Sequence, residues 1–381
     1  MNFDLDEEQE AFADLAREFL DQECSPEEVR EAEKTESGFS QQMYQKLADL
    51  GFLGLIVDEE FGGVAKGYTE VVLFYEEAGR HLLPGPYIST LIATEIIRQH
   101  GTPDQKEQNL PLIARGEAIT VPAWLERSND CGFEENRLTS TAVVKGPAYH
   151  LQGCKRFVEF GASATHLAWL AGTEETGCVA KQSTLFLFPV PKEAPEVSEY
   201  VTQGGGRVCD IKLELECPDS CVLGAVNEGW SVLSLGLELG RIATAAYAVG
   251  AAQKALDIAV KYAGERHQFG RPIGSFQAIQ HQLATCRCLI EQARWLNYHA
   301  AGVKDGGSRA TPLASMAKLA SCRALRQTAT VSSLTHGGYG FMEDYDIQLY
   351  FRRAKDLETR CGSLVMDREI VLDSELEEVD R

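Results

Sequence analysis

Phe12, Leu15, Phe19 and Leu20 recur at three- and four-residue steps, with Asp6, Glu7 and Glu8 ahead of them, where a helix dipole favours acids. This pattern predicts an amphipathic helix. Ser25-Pro26-Glu27-Glu28 reads as the cap and first turn of another. Helical periodicity continues over Gln41 to Leu50, Thr69 to Arg80 and Ile88 to His100, broken by Phe61-Gly62-Gly63 and Pro84-Gly85-Pro86. After Gly116 the texture changes to short β-type runs separated by Gly, Pro and Asn: Ala142 to Val144, Tyr149 to Leu151, Arg156 to Phe160, Leu167 to Leu170, Thr184 to Val190 and Val208 to Leu215. Long alanine-rich helical segments follow at Ser231 to Arg266, Phe276 to Lys304 and Pro312 to Leu334. The expected fold class is α+β. It comprises an N-terminal helical domain (1–117), a central β-barrel-like or sandwich domain (118–224) and a C-terminal four-helix bundle (225–381) that also suits an oligomer interface.

Charge narrows the ligands. With 36 basic against 57 acidic residues, the net charge of −21 opposes binding to nucleic acid or an anionic membrane. A polyanionic ligand would need a local arginine cluster. No run approaches the roughly 18 unbroken apolar residues of a membrane span, and from Met1-Asn2-Phe3-Asp4 and the acidic residues after it no signal or transit peptide is expected. The eleven cysteines include no C-x-x-C pair, so neither a zinc site nor a disulfide framework is expected, and free thiols suit a reducing, cytoplasmic setting. Cys286 and Cys288, two apart on a helix, point in different directions and read as ordinary packing. Leu372 to Asp380 is an acidic, low-complexity tail.

Three segments carry a resemblance. Glu265-Arg266-His267-Gln268-Phe269-Gly270-Arg271-Pro272-Ile273-Gly274-Ser275-Phe276-Gln277 joins two long helices. His336-Gly337-Gly338-Tyr339-Gly340-Phe341 precedes another helical stretch, and Tyr149 to Ala162 runs through Lys155-Arg156-Phe157-Val158-Glu159-Phe160-Gly161. They resemble, in that order, the E-R-x-x-F-G-x-x-I-x-x-F-Q, G-G-x-G-[FY] and Y-x-L-x-G-x-K-x-W-I-T-N-G segments of acyl-CoA dehydrogenases. Leu50 to Leu55, Glu59 to Gly63 and Glu76 to Gly79 are similar to that family's N-terminal runs.

The resemblance implies the acyl-CoA dehydrogenase fold, FAD as cofactor, an acyl-CoA substrate, electron-transfer flavoprotein as redox partner and a homo- or hetero-oligomer, dimer or tetramer. By it, Arg266, Gln268, Phe269 and Gln277 would meet FAD held by a neighbouring subunit, Arg266 on its pyrophosphate. A planar guanidinium suits that task, because it grips phosphate through parallel hydrogen bonds. Gly337, Gly338 and Gly340 would let backbone approach the adenylate end, and Phe157 would pack on the flavin ring. No metal is implied.

The chain departs from this pattern where the chemistry sits. Acyl-CoA dehydrogenases take an α-proton with a carboxylate while the β-hydrogen leaves as hydride. Counting from Gly337, Cys361 occupies the usual glutamate's place, and Gly240 fills the alternative base position before Arg241. Cys361 is therefore the candidate proton-transfer group, with Glu238, one turn from Arg241 on the same helix face, as a candidate displaced carboxylate. Glu238 and Arg241 are both expected at the acyl-CoA site. The family's T-E-P-x-x-G-S-D run is replaced by Val121 to Ser128, Leu334 stands where a glutamine is usual, and Glu159 replaces the threonine near the flavin. A carboxylate there is expected to be protonated or turned outward, since an unpaired buried charge is costly. The function expected is an FAD-dependent acyl-CoA dehydrogenase acting on an unusual thioester with a displaced or substituted base. A non-catalytic subunit of a hetero-oligomeric dehydrogenase, or a lyase-type enzyme of this fold, is the alternative.

Overall fold

The computed structural model describes residues 5–126, 138–173, 182–191 and 195–379. Six helices come first: α1 (Glu7–Glu23), α2 (Pro26–Lys34), α3 (Gln41–Asp49), α4 (Tyr68–Arg80), α5 (Tyr87–His100) and α6 (Pro103–Ala114). Asp6 with Gln9 and Ser25 with Glu28 form reciprocal capping boxes at the starts of α1 and α2. The apolar periodicity does not mark α6, which contains Pro111. Its start is written instead in Thr102, Pro103 and Gln105, a third capping box.

Eight strands follow: β1 (Thr120–Ala123), β2 (Thr141–Lys145), β3 (Ala148–Glu159), β4 (His166–Gly172), β5 (Ser183–Pro189), β6 (Glu196–Val201), β7 (Arg207–Pro218) and β8 (Val222–Leu223). They make one mixed sheet in the order β6-β7-β3-β2-β4-β5-β8, with β1 parallel to β4. The two short runs expected at Tyr149 to Leu151 and Arg156 to Phe160 are a single strand, β3, whose register against β7 slips between Lys155 and Val158. This bulge puts Phe157 at φ +51. Asp210 holds it from β7, taking Arg156 Nε at 3.1 Å and the Phe157 N–H at 3.2 Å.

The last third is helical: α7 (Gly229–Glu265), a hairpin of β9 (His267–Gln268) and β10 (Arg271–Pro272), α8 (Gln277–Asp305), α9 (Thr311–His336), α10 (Ile347–Leu357) and α11 (Leu364–Val379). The supposed tail from Leu372 is thus mostly the second half of a helix; Asp380 lies outside the described residues. α7 is long and apolar enough to cross a membrane, but 89% of its most apolar window is buried inside the protein, as befits a central core helix. It packs on α4 through paired glycines. A Cβ on Gly79 would lie 1.9 Å from Tyr247 O, and one on Gly250 1.8 Å from Glu76 O. Backbones touch there only because both side chains are hydrogen. The contact fixes α7 against the N-terminal helices and thereby sets one wall of the cavity described next.

Candidate active site

Helical and β elements enclose a cavity of about 490 Å³. Its wall comprises Ser89 and Ile92 of α5, Trp124 and Leu125 after β1, Phe157, Val158 and Glu159 of β3, Tyr200 of β6, Leu237 of α7, and Thr359 and Cys361 ahead of α11. Of the Val121 to Ser128 run, Arg127 and Ser128 lie outside the described residues.

Cys361 sits at φ +57 in the turn between α10 and α11 and is 8% exposed. Its Sγ faces α7 so closely that a Cβ on Gly240 would come within 2.7 Å of it, and Thr244 Oγ1 is 3.7 Å away. The two positions at which the resemblance looks for a base, 240 and 361, therefore meet at one point in space, and neither bears a carboxylate. Burial and the nearby Glu159 push the Cys361 thiol up to about 11, while Lys318, Thr244 and Arg241 pull it the other way. At neutral pH this group is a thiol, not a thiolate.

The expectation for Glu159 is corrected. It is neither unpaired nor turned away: its Oε1 meets Arg360 Nε at 3.1 Å and its Oε2 accepts from Ser89 Oγ at 2.9 Å. Arg360 is itself only 10% exposed. A strand, an N-terminal helix and a C-terminal turn are thus tied at one carboxylate. It is the only carboxylate lining the cavity among the described residues.

Glu238 and Arg241 are also corrected, because neither lines the cavity. They do share a face of α7, but the cavity side of that helix is the row Leu237, Gly240 and Thr244. Glu238 is fully buried, with Lys304 Nζ at 3.2 Å, the Ala310 N–H at 3.2 Å and the Thr311 hydroxyl on its oxygens. A carboxylate so satisfied has no route to a substrate. Arg241 gives its Nε to Asp367 at 2.7 Å, and Lys318 joins from the other side, 2.8 Å from Asp367 and 2.6 Å from Gly362 O. Arg241 therefore supports the turn bearing Cys361 from behind.

Arg266, Gln268, Phe269 and Gln277 are all exposed around the β9–β10 hairpin, and Phe269 is 91% exposed at φ +54. The Arg266 guanidinium makes no hydrogen bond or ion pair with any described residue. The three glycines divide by role. Gly337, at φ +63, and Gly338 face open space, whereas a Cβ on Gly340 would lie 2.3 Å from Ser333 O, so that glycine serves packing. Leu334 is exposed nearby at 61%. An unengaged guanidinium and two glycines open to solvent suit the phosphates of a dinucleotide such as FAD approaching from outside this chain. They lie apart from the cavity within one subunit.

Sequence reasoning missed Ser89, Lys318, Asp367 and the direction of Arg360. Only Arg360, adjoining Cys361, left a signal.

Comparison with known proteins accords with the geometry. Residues 6–117 match the acyl-CoA dehydrogenase N-terminal domain and residues 227–376 the acyl-CoA dehydrogenase C-terminal domain. The chain is 31% identical to an acryloyl-CoA reductase (NADH) of Anaerotignum propionicum, over 97% of this chain and 95% of that one. It is 32% identical to a 3-(aryl)acrylate reductase of Clostridium sporogenes, over 96% and 97%. Among solved structures, the ChsE4-ChsE5 complex of Mycobacterium tuberculosis superposes with a TM-score of 0.87 at 26% identity, covering 99% of each chain. With its α+β architecture and most of its length shared in this way, the chain belongs to the acyl-CoA dehydrogenase family, FAD-carrying oxidoreductases that act on CH–CH groups.

Proposed function

We propose that the cavity takes the acyl end of a CoA thioester and that the protein works on its α,β bond in the reductive direction, with Cys361 giving the α-carbon its proton. The observation that carries this reading is the convergence of positions 240 and 361 on a single buried thiol. A group held up to about 11 is fully protonated at neutral pH and so ready to donate, but almost never ready to abstract. FAD in its reduced form, when bound, would supply the hydride for the β-carbon. Cys361 then transfers its S–H proton to the α-carbon, the resulting thiolate lies near Lys318 and Arg241, and solvent restores the proton. Trp124, Ile92 and Leu237 keep water from the apolar part of the acyl group. Both reductases named above act in this direction, which supports the reading. An electron-transfer flavoprotein as electron source belongs to it.

The FAD-loaded full chain, chemically reduced under anaerobic conditions, tests the proposal. An α,β-unsaturated acyl-CoA is expected to restore the oxidised flavin spectrum at pH 7, while a saturated acyl-CoA bleaches oxidised protein only as the pH approaches about 11. Rapid bleaching by saturated thioesters at pH 7 would overturn the assignment of Cys361.

The exposed Arg266 hairpin favours a second reading, in which this chain is the base-deficient subunit of a hetero-oligomer and Arg266 serves FAD in a partner. A chain that stays colourless until produced together with a second dehydrogenase-type chain would favour that reading over the first.

A further inference from the structure

β7 pairs with β3 and β8 with β5, at separated places in the sheet order, yet only the 3-10 turn Asp219–Cys221 joins β7 to β8. The sheet therefore curls back on itself at this corner. Gln105 of α6 clamps the corner, donating its side-chain amide to Ser220 O and Val222 O at 2.9 Å each. Cys217, next to last in β7, and Cys221, last in the turn, flank it. Cys217 is 1% exposed, on the buried face of β7, whereas Cys221 is half-buried. Their thiols lie side by side and share a hydrogen bond. Other buried thiols are spent on oxygen: Cys24 on His81 O at 3.7 Å, Cys209 on Val158 O at 3.6 Å and Cys361 on Thr244 Oγ1 at 3.7 Å. Neither Cys217 nor Cys221 lines the cavity that holds Cys361.

We infer that Cys217 and Cys221 form an oxidation site that reacts with hydroperoxides and closes to a reversible disulfide across this corner. Accepting the Cys217 S–H holds the Cys221 thiol below its ordinary value despite partial burial, while sharing that proton, together with burial, pushes Cys217 the other way. Cys221, also the more accessible of the two, is thus the attacking group. Its thiolate forms an S–O bond as the peroxide O–O bond breaks, leaving a sulfenic acid and, from hydrogen peroxide, one water once the displaced hydroxide is protonated. Cys217 then attacks the Cys221 sulfur. The S–S bond forms, the S–O bond breaks, and the leaving hydroxide takes the Cys217 proton as a second water. The two thiols have then given up two hydrogens, and the peroxide has been reduced to water. A dithiol reductant reverses the closure. Because the resolving thiol is already in contact, it captures the sulfenic acid before a second peroxide can carry it to the sulfinic stage.

Graded hydrogen peroxide on the FAD-loaded full chain, followed by tryptic mapping by mass, tests this. One tryptic peptide, residues 213–241, holds both cysteines. It is expected to lose about 2 Da, two hydrogens, and to regain them with dithiothreitol. Cys221 should react at least roughly 10-fold faster than the exposed thiols Cys154 and Cys288, because reactivity follows thiolate character as well as exposure. In Cys217→Ser the reaction is expected to stop at a sulfenic acid on Cys221 that dimedone traps, and in Cys221→Ser the peptide should keep its mass. Consumption of Cys154 or Cys288 while Cys221 remains a thiol would overturn the inference. So would a Cys221 carried to the sulfinic stage with Cys217 still free, or a disulfide that forms only after urea has unfolded the chain.

Discussion

On one side of the turn between α10 and α11, Arg241, Asp367 and Lys318 close on one another with side-chain exposures of 1%, 0% and 0%. On the other side Glu159, Ser89 and Arg360 also pair, but 25% of the Glu159 side chain stays exposed at the cavity wall. Both sets hold charge near Cys361, and what separates them is access: only the second reaches the cavity, through Glu159. The first set, two cations on one carboxylate, is sealed inside the protein and supports the turn; the second leaves a carboxylate facing open space. Lys155 and Glu126 in the β domain are another closed set, 0% exposed on both sides, with the Thr139 and Ser140 N–H groups on the remaining carboxylate capacity. Burial of a charged residue is thus a poor guide to function, whereas its access to an open cavity is a better one.

The distinction breaks if the closed set can be opened without consequence. Lys318→Ala leaves Asp367 facing Arg241 alone and strips Gly362 O of its donor, and is expected to cost about 3–5 kcal/mol in urea unfolding, the range for breaking a buried pair. A midpoint unchanged from the unaltered protein would erase the difference between the two sets. Replacing both members of the open pair should cost far less.

Cys361→Ala sharpens the comparison from the cavity side. Loss of a positioned proton donor typically lowers the rate about 10²- to 10⁴-fold. Reduction of an unsaturated thioester should therefore fall by that order, with thioester affinity and melting temperature little changed, because the thiol's one hydrogen-bond contact among the described residues is 3.7 Å long, to Thr244. Turnover at the original rate would remove Cys361 from the reaction.

The smallest effect is expected from pH on the closed pair in the β domain. Burial alone would raise the Glu126 carboxyl, but Lys155 and the donors around it outweigh burial and hold it below its ordinary value. A carboxyl depressed in the folded state contributes stability that is present above its unfolded pKa and lost as pH falls through the folded one. Melting temperature should therefore decline on acidification below about 4.5, the unfolded carboxyl range, and Glu126→Gln should flatten that part of the profile. An identical acid limb in the variant would show that other carboxylates dominate.

Much of the architecture was legible because it is local. The steps of Phe12, Leu15 and Phe19, the Ser25-Pro26 cap and the alanine-rich run from Ser231 each specify a helix within a few turns of themselves. Strands β1, β6, β8, β9 and β10 escaped. β1 is buried but only four residues long and interrupted by Pro122, β6 is exposed along its whole length, and the other three are two residues each. At the site, counting along the chain found Cys361 and Gly240, yet helix periodicity also suggested Glu238, since it shares a face with Arg241. Periodicity tells which residues share a face, not what that face meets.

Residue order alone established the succession of helical, β and helical segments and the lack of a carboxylate at positions 240 and 361. It takes the packed fold to bring those positions together, to spend Glu238 on Lys304 and to share Glu159 between Ser89 and Arg360. The physical reason is range. Backbone periodicity and capping arise between residues a few positions apart, whereas a charge in a cavity takes its state from whichever partners the packed helices and sheet bring to it from distant parts of the chain.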